Sequence, residues 1–304
     1  GQHNTASGFE SLKANTTGAS NVAMGYQALD ANTTAHSNTA IGTKSLSANT
    51  TGEENTALGE FALYSNTTAD NNTAVGKAAL KNNTTGTSNV AVGTGALDAN
   101  TTANNNTAVG GDALGINTTG TSNTAVGLNA LYANTTASNN TAVGVSSLTS
   151  NTTGHSNTSL GRQSMYWNTT GYDNTAIGMD AAQSNTDGHS NVSAGVSALF
   201  ANLGGSYNTA IGKFALKANT SADANTALGY NALFANTTGS SNTALGVNCM
   251  DANTTGGNNT AVGVDTLNQN TTGTEHAALG FEALRSNTTG HSSVAVGNEA
   301  LENN

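Results

Sequence analysis

Four of the six histidines, His36, His155, His189 and His291, are separated by multiples of 17 residues. Such a spacing could align imidazoles for metal binding or proton transfer. If 17 residues make one coil of a stack, the closest pair, His155 and His189, lies two coils or about 10 Å apart, too far to share an ion within one chain. A metal on a symmetry axis between chains is the remaining option. The acidic residues are scattered singly, and no Gly-Gly-x-Gly-x-Asp calcium pattern occurs. Ser190, His189 and Asp187 could supply a nucleophile, a base and an orienting group, but neighbours on one turn cannot converge as a triad. No other set clusters, so the expectation is a protein that is not an enzyme and uses no metal or cofactor.

Two further residue classes could bind something. Tyr64, Tyr132, Tyr166, Phe200 and Phe234 share the repeat position of Lys13, and Trp167 interrupts the adjoining small-residue position beside Tyr166. An aromatic row of this kind can stack on sugars or touch a neighbouring molecule, so these six are the candidate surface or ligand contacts. Regular threonines at the Thr5, Thr16 and Thr17 positions offer hydroxyl rows of the type that bind ice, although not in the alternating Thr-x-Thr form of a flat ice face. Asn15-Thr16-Thr17 and fourteen equivalents fit the N-glycosylation pattern, and their constancy is equally that of a ladder of side-chain amides.

What must position these residues is a repeat of period 17. From Gly8 the same glycine returns at Gly25, Gly42, Gly59, Gly76 and Gly93 and onward to Gly297, eighteen times without insertion or deletion. Asparagine likewise recurs at Asn15, Asn32, Asn49, Asn66, Asn83 and Asn100 and on to Asn304. Disordered low-complexity chains tolerate length variation, so invariant spacing argues for order. Apolar residues do not follow a helical period, and Gly, Asn and Thr at this density are poor helix formers. The reading is all-β: a parallel β-solenoid (β-roll or β-helix) of eighteen 17-residue repeats, one repeat per coil, over residues 1–304 as a single continuous array. A 34-residue coil of two repeats stays open, because Gly18, Ala35, Gly52 and Ala69 alternate and aromatics recur every second repeat.

Column tolerance orients the coil. The Val75 column is Val, Ile, Leu or Met in sixteen repeats, and the Leu12 column is Leu, Met or once Ala182, so both are expected to point inward. The Thr5 column, with thirteen Thr, four Val and Ala277, reads as half-buried. Of the 26 charged residues, all except Asp187 fall in the columns of Gln2, His3, Phe9, Glu10 and Lys13, which therefore face solvent. Thr-Ala-Val-Gly reads as a strand, the next two residues as a turn, and Ala-Leu as the start of a second strand. The glycine column calls for positive φ or close backbone approach.

A net charge of −10 with eight basic residues and no basic cluster argues against nucleic acid. No apolar stretch approaches a membrane span, and Cys249 has no partner for a disulfide and sits in a small-residue column, as a buried apolar group would. Proline is absent, as suits a chain whose N–H groups serve as ladder donors. Consecutive Ala74 and Val75 put an apolar group on both faces of the strand. One face can line the coil; the other wants a partner, which predicts a homo-oligomer, a trimer about a common axis. The first and last repeats are nearly consensus rather than capping units, which suggests a segment of a longer fibre or end-to-end stacking.

The motif Asn123-Thr124-Ala125-Val126-Gly127, with Ala130-Leu131 and Asn134-Thr135-Thr136, resembles the repeats of phage tail fibres and related bacterial surface fibres. It is also similar to the head repeats of trimeric autotransporter adhesins, whose period is shorter. The resemblance covers the whole chain and implies trimeric β-roll or β-solenoid shafts that display or form surface-binding elements. The expected function is a structural fibre or filament, extracellular, on a cell surface or on a virion; the alternatives are an adhesin head for glycans and an ice-binding protein.

Overall fold

The computed structural model describes residues 1–303; Asn304, the last member of the asparagine column, lies outside the described residues. Every regular element is a three-residue strand. The chain divides into two compact units, Gly1–Thr153 and Gly154–Asn304. The first carries nine strands, from β1 (Thr5–Ser7) to β9 (Thr141–Val143), and the second nine more, from β10 (Thr158–Leu160) to β18 (Val294–Val296). Within each unit every strand pairs in parallel with its successor, as in Thr107↔Thr124, Ala108↔Ala125 and Val109↔Val126. Partners 17 residues apart mean that one repeat makes one coil, which excludes the 34-residue coil. The chain is thus an all-β parallel solenoid in each unit.

The strand ends at a glycine for two reasons. Gly76 has φ 134°, and a Cβ there would stand 2.6 Å from the Gly93 carbonyl oxygen of the next coil. An L side chain would meet both obstacles at once. Two tight turns follow. In the second repeat, Ala28 N–H donates to Gly25 O and Asn32 N–H to Leu29 O, with Gln27 and Leu29 at φ 51° and 53°. Ala-Leu is therefore a turn and not the expected second strand. Leucine seldom adopts positive φ; here its N–H is held by the neighbouring coil, Leu29 N–H donating to Ser45 O, and its side chain is fully buried.

The interior holds the Leu12 column, small residues of the Ser11 column such as Ala28 and Cys249, and the Ala6 column, including fully buried Ala23, Ala40 and Ala57. The Val75 column is not in it. Leu58, Leu160 and Leu279 are 43, 46 and 49% exposed, and the remaining members are half-buried or exposed. The expectation of an inward Val75 column is corrected by the two-residue alternation of a strand: with alanine inward, the residues on either side must face out. A coil of this length has room for alanine opposite leucine, and the larger aliphatic group goes outside.

Candidate interaction surfaces

Three features of the coil bear on function: an outward sheet face, two internal amide ladders and scattered groups of rings. The sheet face presents the Thr5 and Val75 columns side by side, two residues apart on the same side of each strand. It carries no charged residue. In the second unit the Phe9 column, past the glycine corner, exposes Met179, Tyr230, Val247, Val264 and Phe281, interrupted by the exposed Arg162 and Lys213. Contiguous exposed aliphatic stripes are uncommon on monomeric soluble proteins.

The Asn15 column forms a ladder. Asn66 Nδ2 donates both to Asn49 Oδ1 of the preceding coil, at 2.9 Å, and to the Ala69 carbonyl, at 3.0 Å. From Asn32 to Asn287 its members are buried, so the sequon asparagines of the folded coil have no access to a glycosylating enzyme. A second ladder, at Asn4, Asn21, Asn38 and onward, was not singled out from the repeat. Its side-chain oxygen receives the next coil's N–H, as in Asn72 N–H to Asn55 Oδ1 at 3.0 Å, while Nδ2 donates to a glycine or alanine carbonyl such as Gly86 O. Its visible signal is asparagine in sixteen of eighteen repeats. His276 takes the place of asparagine there, 2% exposed. Its backbone N–H donates to Asn259 Oδ1, Nδ1 receives the Ser293 N–H, and Nε2 lies 2.7 Å from the Gly290 carbonyl oxygen. Nδ1 accepting and Nε2 donating is the neutral imidazole. Burial pushes its pKa down, the Gly290 bond partly opposes this, and His291 nearby adds to the depression.

The aromatic candidates do not form one row. Tyr64 meets Phe61 edge-on, Tyr166 meets Trp167 edge-on at 4.6 Å, and Phe234 meets Phe214 at 6.3 Å. Tyr132 is exposed, and Phe200 is half-buried. Lys217 and Gln183 stand between the aromatics of alternate coils. Trp167 is the most open of the set, 54% exposed. A different column does stack rings: His155, Tyr172 and His189 lie 5.1 and 4.7 Å apart in successive coils, and Tyr207 closes on His189 edge-on. A search by residue type overlooks it because imidazole and phenol alternate. His36 and His291 stand elsewhere in the same column, His36 Nδ1 receiving the Ala19 N–H.

Among the described residues no group of three or more His, Cys, Asp or Glu side chains comes together as a metal site, and no pocket opens. The Ser190 hydroxyl lies 3.3 Å from His189 Nδ1 of the adjacent residue, and Asp187 receives the Thr186 hydroxyl. Cys249 is fully buried, its thiol directed at the Ala261 carbonyl and its pKa pushed up by burial to about 12. No protein-family model matches the chain, and no curated protein matches it.

Proposed function

We propose that this chain is a structural fibre or filament protein, extracellular or carried on a virion, and that copies of it associate as a homotrimer along the uncharged Thr/aliphatic face. The observation that carries the reading is the outward Val75 column. Leucines and isoleucines exposed in coil after coil favour association, and covering them with the same row of sister chains buries apolar area in proportion to length. In the second unit the stripe turns the glycine corner onto a second plane. Two flat faces in contact would leave that plane in water, whereas three chains about an axis cover both. A solenoid whose repeats join through backbone and amide ladders supplies stiffness without a large core, as a spacer requires.

Sedimentation velocity and light scattering of the purified chain test this, together with a Val109→Lys/Val126→Lys variant. An oligomeric wild type and a variant of lower mass with unchanged circular dichroism are expected. A monomeric wild type over a wide concentration range, or a variant of undiminished mass, would overturn the proposal. The exposed Tyr166–Trp167 pair favours a second reading, an adhesive surface for cell-surface glycans. It requires glycan binding that disappears when Tyr132, Tyr166 and Phe200 become alanine. Ice binding would register as thermal hysteresis, and none is expected from a face covered by sister chains.

A further inference from the structure

Cations are scarce in this chain, and most of the eight have acidic company. Lys13, Lys77, Arg162 and Arg285 lie within 4.0 Å of the carboxylates of Glu10, Glu60, Asp180 and Glu282. Lys81 acts on Asp98, whose carboxyl burial holds above the usual range. Lys213 and Lys217 are different. Both ammonium groups lie 4.7 Å from the centre of the Phe214 ring, and Lys217 is also 5.3 Å from that of Phe234. Tyr230 and Phe234 each approach Phe214 to 6.3 Å.

The coils on either side offer these lysines no counter-charge. The corresponding positions hold Val196, Ser197 and Phe200 on one side and Tyr230, Asn231 and Phe234 on the other. The next carboxylates in the same columns, Asp180 and Asp251, lie two coils away, about 10 Å, which is about a Debye length at physiological salt. Two like charges thus converge on one ring, held by the quadrupole of its face but not neutralised. The coil beside Phe214 adds Asn231, whose Oδ1 is buried and accepts no hydrogen bond, and Tyr230, which is 45% exposed.

We propose that Lys213, Lys217, Phe214, Phe234 and Tyr230 form a binding site for an acidic saccharide, a sugar bearing a carboxylate or a sulfate. The two ammonium groups match the anion, and the partly open rings match the apolar C–H face of a pyranose. A dense polyphosphate is disfavoured by the chain's net charge of −10, whereas a sugar with one charge per residue suffers less of that repulsion. This site does not depend on the fibre reading; because Lys213 and Tyr230 stand in the Phe9 column that the proposed trimer covers, it is open in the monomer, and the titration uses the chain at a concentration where sedimentation shows it monomeric.

The test is titration of the full chain with a galacturonate hexasaccharide, a heparin-derived hexasaccharide, neutral maltohexaose and inorganic sulfate, followed by calorimetry. Saturable binding of one or both acidic hexasaccharides is expected, and which of them binds separates carboxylate from sulfate recognition. Lys213→Gln/Lys217→Gln, with unaltered circular dichroism, is expected to weaken it about tenfold or more. Lys77→Gln, at an ion-paired lysine of the first unit, is expected to leave it unchanged. The proposal is overturned if neither acidic hexasaccharide binds, if maltohexaose binds as well, if inorganic sulfate displaces the sugar at equal concentration, or if the double variant binds like the wild type.

Discussion

Replacing Asn83 with alanine should be among the most damaging single changes outside the glycine column. Its Nδ2 donates to Asn66 Oδ1 at 3.0 Å and to Gly86 O at 2.9 Å, and its Oδ1 receives Asn100 Nδ2 at 2.8 Å. Two of the three partners keep another bond: Gly86 O still accepts from Asn72 Nδ2, and Asn100 Nδ2 still donates to Ala103 O. Asn66 Oδ1, buried, loses the donor that Asn83 supplied. One stranded acceptor costs about 1–3 kcal/mol and the two replaceable bonds add roughly 1 kcal/mol between them, so about 2–4 kcal/mol is expected. Because a stack of repeats can open coil by coil, hydrogen exchange is a better assay than a single melting temperature. Amides of residues 66–103 should exchange about 30- to 700-fold faster, with distant coils little changed. Asn83→Asp tests the direction of the bonds, since it keeps the shape but places an oxygen against Asn66 Oδ1 and Gly86 O; it should cost more than alanine. A loss below about 0.5 kcal/mol for Asn83→Ala, or an aspartate milder than alanine, would refute the claim that the amide ladder holds the coils together.

Other expectations follow from single columns. Gly76→Ala places a Cβ against Gly93 O at φ 134° and should destabilise its coil by about 3 kcal/mol or more, measured by urea unfolding. His276 is held neutral with its pKa below the ordinary 6.5, so the stability it lends is present above that value and is lost as pH falls through and below it. Residues 277–303 should therefore lose exchange protection in mild acid, and His276→Asn, which restores the ladder residue and leaves Glu275 and His291 in place, should abolish the difference. Equal pH profiles for the two proteins would contradict this. Cys249, buried with its thiol pushed up to about 12, should resist iodoacetamide at pH near 8 in the folded chain and react promptly once unfolded.

Within each unit the period of 17 was sufficient to set the register of the Thr-Ala-Val strands, because in a parallel stack the distance in sequence between partners is the repeat itself. It could not distinguish an inward column from an outward one. A column restricted to Val, Ile, Leu and Met reports only that water is excluded somewhere, by the chain's own interior or by another surface, and the more telling restriction was the Ala6 column, alanine in sixteen repeats and serine at Ser159 and Ser193. Such smallness means that something large stands opposite, and Leu29 and its equivalents are what stand there. The turn at Ala-Leu was hidden for another reason: leucine at positive φ contradicts local preference, and only burial together with a hydrogen bond to the next coil sustains it. The same logic applies to the candidate sites. Tyr166, Phe200 and Phe234 looked like a row because one residue class recurred, yet alternate coils stand about 10 Å apart and rings do not reach that far. His155, Tyr172 and His189 differ in type and occupy successive coils, and they stack. In a solenoid the neighbour that matters is residue i+17 whatever its identity, so the surface chemistry of Lys213, Phe214 and Lys217 is set as much by the uncharged Tyr230, Asn231 and Phe234 in the next coil as by the lysines themselves.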